Sequence, residues 1–179
     1  MARPSPLLAG GALRRRTLLA MLPVSLLAAC GFRLRGVPEF AFRSLYIAAP
    51  AGSPLARELR RTLQGSNSKL VLLTEPAQLP PRAEAIFDLL QEQHERSVVG
   101  LTASGQVREL QLRLRTKFKL RTPAGAELIP ETELLQVRDI SYSETIALAK
   151  EAEEALLYRN MQTDLVQQLL RRLAAAHMP

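Results

Sequence analysis

Between residues 110 and 122 the chain alternates without a break: "LQLRLRTKFKLRT". Leu110, Leu112, Leu114, Phe118 and Leu120 share one parity, and Arg113, Arg115, Lys117, Lys119 and Arg121 share the other. Successive side chains of a strand point to opposite faces, so this stretch is a predicted strand with an apolar underside and a cationic top. The chain around it divides by the same reading. "RSLYIAA" (43–49) alternates and predicts a short strand. "SPLARELRRTLQG" changes to a helical period, with Ser53 as N-cap, Pro54 at the first helical position and Leu55, Leu59, Thr62 and Leu63 on one face. "KLVLLT" (69–74) is a continuous apolar run and predicts a strand buried on both faces. Residues 85–101 predict a less regular strand with a bulge or bend. "TASGQ" (102–106) and "TPAGA" (122–126) have the residues of hairpin turns. Residues 127–141 predict the partner strand, with Pro130 marking an edge or bulge. From about Ser143 to Ala175 the period is helical, and Leu148, Ala152, Ala155, Leu156, Leu165, Leu169 and Leu173 predict its buried face.

The element order is therefore β-α-β-β-β-β-α. Strands joined by tight turns pair antiparallel, and the helices pack most simply on one face of the sheet. The expected fold is α+β, a two-layer sandwich of two helices on one face of a mostly antiparallel sheet.

The first 29 residues change the picture of charge and compartment. They hold Arg3, Arg14, Arg15 and Arg16, no acid, and the apolar run "TLLAMLPVSLLAA", which ends just before Cys30. A basic start, an apolar core of this length and a small-residue exit define an export signal, too short for a relaxed bilayer span. "LAAC" (27–30) resembles the bacterial lipobox, in which cleavage precedes an acylated cysteine. Cys30 is the chain's only cysteine. The expectation is a cleaved signal (1–29), a tether (30–42) carrying diacylglycerol and an N-acyl chain on Cys30, and one domain (43–179). Gly31 follows Cys30 where aspartate would favour inner-membrane retention, so outer-membrane delivery is expected. Loss of the four signal arginines takes the formal charge from +7 to +3. Export also removes nucleic acid as an ordinary partner, and aromatic stacking platforms are scarce at 4% of residues.

Nothing in the sequence points to catalysis. His94 and His177 lack ligand or triad spacing, and there is neither a G-x-S-x-G motif nor a glycine-rich phosphate loop. No metal and no dissociable cofactor is expected. The basic strand has two readings. Opposite 127–141, Lys117 and Lys119 would meet Glu133 and Glu131, an ion-paired face. In the same register Arg115 faces Leu135 and Arg113 faces Val137, which leaves both free for an anionic ligand, and a guanidinium grips phosphate bidentately.

"LAACGFRLRG" (27–36) and "ETIALAKEAEEALLYRNMQTDLVQQLLRRL" (144–173) resemble the two ends of the LptE family of lipopolysaccharide (LPS)-assembly lipoproteins. The resemblance implies a non-enzymatic outer-membrane lipoprotein, on the periplasmic side, that plugs the LptD β-barrel, supports its assembly and contacts LPS. It also implies that Lys150, in "ALAK", contacts LPS. Arg113, Arg115, Lys117 and Lys119 are LPS candidates from the strand pattern alone. The alternative is an adaptor lipoprotein of another envelope transport complex.

Overall fold

The computed structural model describes residues 39–66, 68–73, 83–143 and 147–179. The export signal, Cys30, most of the tether, most of the proline-rich connection and the first residues of the expected long helix lie outside them.

Five strands and two helices follow the expected order: β1 (Ser44–Ala48), α1 (Pro54–Gly65), β2 (Val71–Leu73), β3 (Ala85–Leu101), β4 (Val107–Arg121), β5 (Glu127–Ser141) and α2 (Ala147–Ala174). They form one mixed sheet in the order β2-β1-β3-β4-β5. β1 pairs in parallel with β2 and with β3, and α1 supplies the crossover from β1 to β2. The long strands β3, β4 and β5 form an antiparallel meander. Both turns of the meander are built alike. Thr102 Oγ1 accepts from the Gln106 amide and Thr122 Oγ1 from the Ala126 amide, while Gly105 and Gly125 take φ of 81° and 94°. Glycine takes that left-handed conformation without a Cβ clash.

β4 runs through the centre of the long-strand half, and its even residues from Leu110 to Leu120 are all buried. Phe118 stacks on Phe87 with centroids 5.5 Å apart. Thr116, the one hydroxyl in that row, donates to the Gln91 carbonyl at 2.8 Å and so enters the core satisfied. Leu55, Leu59 and Leu63 of α1 and Met161, Leu165, Leu169 and Leu173 of α2 close the same core. Ser53 caps α1 as expected, its Oγ accepting from the Ala56 amide at 3.0 Å.

Two expectations need correction. β2 is not buried on both faces: it is a three-residue edge strand, and Val71 is 57% exposed. A short apolar run reads the same whether one neighbour covers it or two. The buried face of α2 also begins later than the spacing suggests. Leu148 is 83% exposed, Leu156 is 50% exposed, and Ala152 and Ala155 are exposed too. The cause lies beneath the helix, where β3 turns His94 and Arg96 toward it instead of apolar residues. His94 meets the Tyr158 ring edge-on at 4.8 Å, and Arg96 pairs with Glu154 at 3.5 Å. The first turns of α2 thus cross a polar stretch of sheet; Leu157 and Tyr158 are partly buried, and full burial starts at Met161.

Candidate functional site: the cationic sheet face

The helices cover one face of the sheet, and the odd residues of β4 point to the other. Arg113, Arg115, Lys117, Lys119 and Arg121 are all partly exposed there, so the alternation holds along the whole strand. The expected register with β5 is also observed for Arg113↔Val137, Arg115↔Leu135 and Lys117↔Glu133.

Ion pairing divides the row differently from the sequence reading. Arg115 is not free. Its Nε lies 3.3 Å from Glu95 on β3, and its Nη1 lies 2.5 Å from Glu133, diagonally across β5. Lys117 shares Glu133 at 4.0 Å. Arg121 pairs with Asp88 at 2.7 Å. Lys119 does not gain Glu131, because a register shift between Phe118 and Leu120, beside Pro130, interrupts the pairing there. On β3 its cross-strand neighbour is Asp88, whose carboxylate is held by Arg121. Lys119 has no ion pair among the described residues. Arg113 donates only to Gln111, Nε to Oε1 at 2.7 Å. The two unneutralised cations of the row are thus Arg113 and Lys119.

β3 accounts for the difference. The turn at 102–106 sets the register of β3 on β4 and brings Glu95 beside Arg113 and Gln93 beside Arg115. The signal for Glu95 was present in the alternation of residues 91–97, but two bulges shift its phase and hide the pairing from spacing alone.

Apolar side chains border the cations. Leu135 is 44% exposed beside Arg115, and Val137 is half-buried beside Arg113. Further along, at the turn joining β3 and β4, Val98, Val99 and Leu101 are exposed. On the opposite, helix-side face an open pocket of about 360 Å³ lies between Arg96, Val98, Val107, Leu110 and Tyr142, with the Arg96 guanidinium 5.6 Å from the Tyr142 ring centroid. Arg96, Tyr142 and Tyr158 carry no motif and were not singled out in the sequence. Burial, helped by Glu154, pushes the Tyr158 phenol above its ordinary pKa, and its hydroxyl donates to the Glu95 carbonyl at 2.6 Å.

Lys150 is in the first turn of α2. Its Nζ donates to Ser141 Oγ at 3.2 Å and pairs with Glu153 at 2.8 Å. Ser141 has the parity of Val137, four residues further along β5, which separates Lys150's anchor from Arg113's row position by about 13 Å. Lys150 thus reaches the end of β5 from the first turn of α2 and touches no residue of the cationic row.

Among the described residues no His, Cys, Asp or Glu group is arranged to hold a metal ion, and no helix is long and apolar enough to cross a membrane. The face is suited to holding an anionic amphiphile, with cations for acidic groups and apolar side chains beside them.

The chain is similar to proteins of a known family. Residues 38–173 match the family described as LptE, lipopolysaccharide-assembly. The LPS-assembly lipoprotein LptE of Yersinia pestis (strain Pestoides F) is 31% identical over 167 residues, covering 90% of this chain and 76% of the relative. A solution structure of lipoprotein B from Nitrosomonas europaea superposes with a TM-score of 0.68 at 34% identity, over 81% of this chain and 91% of that one. The crystal structure of rare lipoprotein B from Shewanella oneidensis has the same fold, with a TM-score of 0.60 at 23% identity, over 74% of this chain and 94% of that one.

Proposed function

The chain belongs to the LptE lipopolysaccharide-assembly family, and from that premise we propose that it is an acylated outer-membrane lipoprotein that plugs an LptD-like β-barrel and holds LPS by its cationic sheet face. Membership makes it an assembly factor and not an enzyme. Residues 1–29 are its export signal, and Cys30 carries the diacylglycerol and N-acyl lipid. Several acyl chains, at about 0.8 kcal/mol per buried CH₂, anchor a protein durably.

The observation that carries the LPS reading is the pair of cations left without carboxylates, Arg113 and Lys119, on a face with exposed Leu135. LPS presents phosphates next to acyl chains, so a ligand of that chemistry would use both features. Arg115 and Lys117 contribute positive potential but must share Glu133. Lys150, 14% exposed at its side chain, would reach the ligand from the far end by exchanging Glu153 for phosphate. Plugging is supported by size, because a two-layer domain needs a large barrel; small barrels are filled by their own side chains.

Mild-detergent extraction of outer membranes, with purification through a C-terminal tag, tests the partnership. A stoichiometric large β-barrel with LPS in the same fraction is expected. Inner-membrane transporter subunits in its place would favour the adaptor reading.

A further inference from the structure

Cations without a carboxylate partner occur in the helical layer as well as on the sheet. Arg57 and Arg61 are exposed, one turn apart on α1, about 6 Å along its axis. Neither guanidinium has a carboxylate partner among the described residues. Both line an open groove of about 310 Å³ whose other walls are Pro54, Glu58 and Gln162. Arg159 is also exposed, one turn before Gln162 and Thr163, and helical spacing puts it on their flank of α2. Glu58, the acid of the groove, is held by side chains of α2. Its Oε2 accepts from Gln162 at 2.6 Å and its Oε1 from Thr163 at 2.7 Å.

This arrangement works against α1. Like charges one turn apart repel each other and weaken a helix. Arg57 also sits in the first turn, where the helix dipole disfavours a cation and where α1 has no acid. The helix N-terminus has no need of a further anion, since Glu92 of β3 already accepts from the Leu55 amide at 3.2 Å and from Ser53 Oγ at 2.5 Å. Pro54 is the one exposed apolar residue among those lining the groove, too small a surface for insertion into lipid tails or for a dry protein interface. Paired guanidiniums around a small polar groove match a phosphate, which they bind through parallel N–H donors.

We propose that Arg57 and Arg61 form a second anion site, which takes a phosphate group on the face opposite the cationic strand. The site is independent of the LPS reading, and either can fail alone.

The test follows the arginine side-chain Nε–Hε NMR signals of the full chain in detergent during titration with inorganic phosphate, then with phosphatidylglycerol nanodiscs. Saturable movement of both signals is expected, with affinity lowered about tenfold or more in Arg57→Gln/Arg61→Gln and raised in Glu58→Gln, which removes the repelling charge. Arg113→Glu should leave the titration unchanged. Saturation at lower phosphate concentration with nanodiscs than with the free ion would identify a lipid headgroup as the source; equal saturation would identify free phosphate. Movement without saturation, or unchanged affinity in the folded double variant, would overturn the site.

Discussion

Arg113 and Arg115 are neighbours in one row, yet substitutions at the two should act differently. Arg115→Ala leaves Glu95 and Glu133 facing each other across the strand without their shared cation. Exposed pairs contribute little, so a loss of about 1 kcal/mol or less in urea unfolding is expected. Arg113→Ala breaks no ion pair and should leave stability within about 0.5 kcal/mol while weakening LPS binding. Tyr158 offers a test of a different kind. Its raised pKa means that the unfolded state releases the phenolic proton first as pH climbs. The folding advantage is complete below the ordinary value near 10 and is lost as pH rises through the folded value. Alkaline titration should show one phenolate appearing late, and Tyr158→Phe should remove that late step. The same substitution also leaves the Glu95 carbonyl without its phenolic donor and should cost about 1 kcal/mol.

At the scale of elements, the two halves of α2 should respond oppositely to the same substitution. Leu165→Ala empties a fully buried position and should cost about 2–5 kcal/mol in chemical denaturation. Leu148→Ala, on the exposed first turn, should change stability by no more than about 0.5 kcal/mol. Spacing alone treats both leucines as core, and the reason is specific. Residues 148, 152, 155 and 156 do make a stripe, but the strand beneath the early turns shows His94 and Arg96 to the helix. A single-sequence period reports that a face is apolar, not whether anything covers it. The strands were far more legible. β3, β4 and β5 begin and end where alternation and the two Thr-x-x-Gly turns place them. Lys117 opposite Glu133 followed from that register, whereas Glu95 beneath Arg115 did not, because the bulges of β3 break its phase. β2 was mistaken for a buried strand because the parallel pairing that makes it an edge depends on a crossover no local pattern encodes.

At the scale of the molecule, the described residues present two chemically distinct faces on either side of the main core, and a small second cluster is formed by Leu73, Ala83 and Ile86. The sheet face has cations balanced in part by Glu95, Glu133 and Asp88, with Leu135 and Val137 among them; the helical face has the arginines of α1. A plug inside a barrel has to meet the wall on some sides and LPS on another, and such a division of surfaces fits that task. The proposed lipid anchor belongs to this scale too. Cys30→Ala should leave an uncleaved or mislocalised precursor without acyl label, and normal processing of that variant would refute the lipobox assignment. The central claim is that the sheet face holds LPS through the cations its own carboxylates leave free. Its most direct measurement is the LPS affinity of the purified full chain against that of Arg113→Glu/Lys119→Glu, with folding checked by thermal unfolding. A folded variant is expected whose affinity falls about tenfold or more, equivalent to about 1.4 kcal/mol or more. A folded variant that binds LPS as tightly as the parent would contradict it and reduce the row to a solvated, ion-paired strand face.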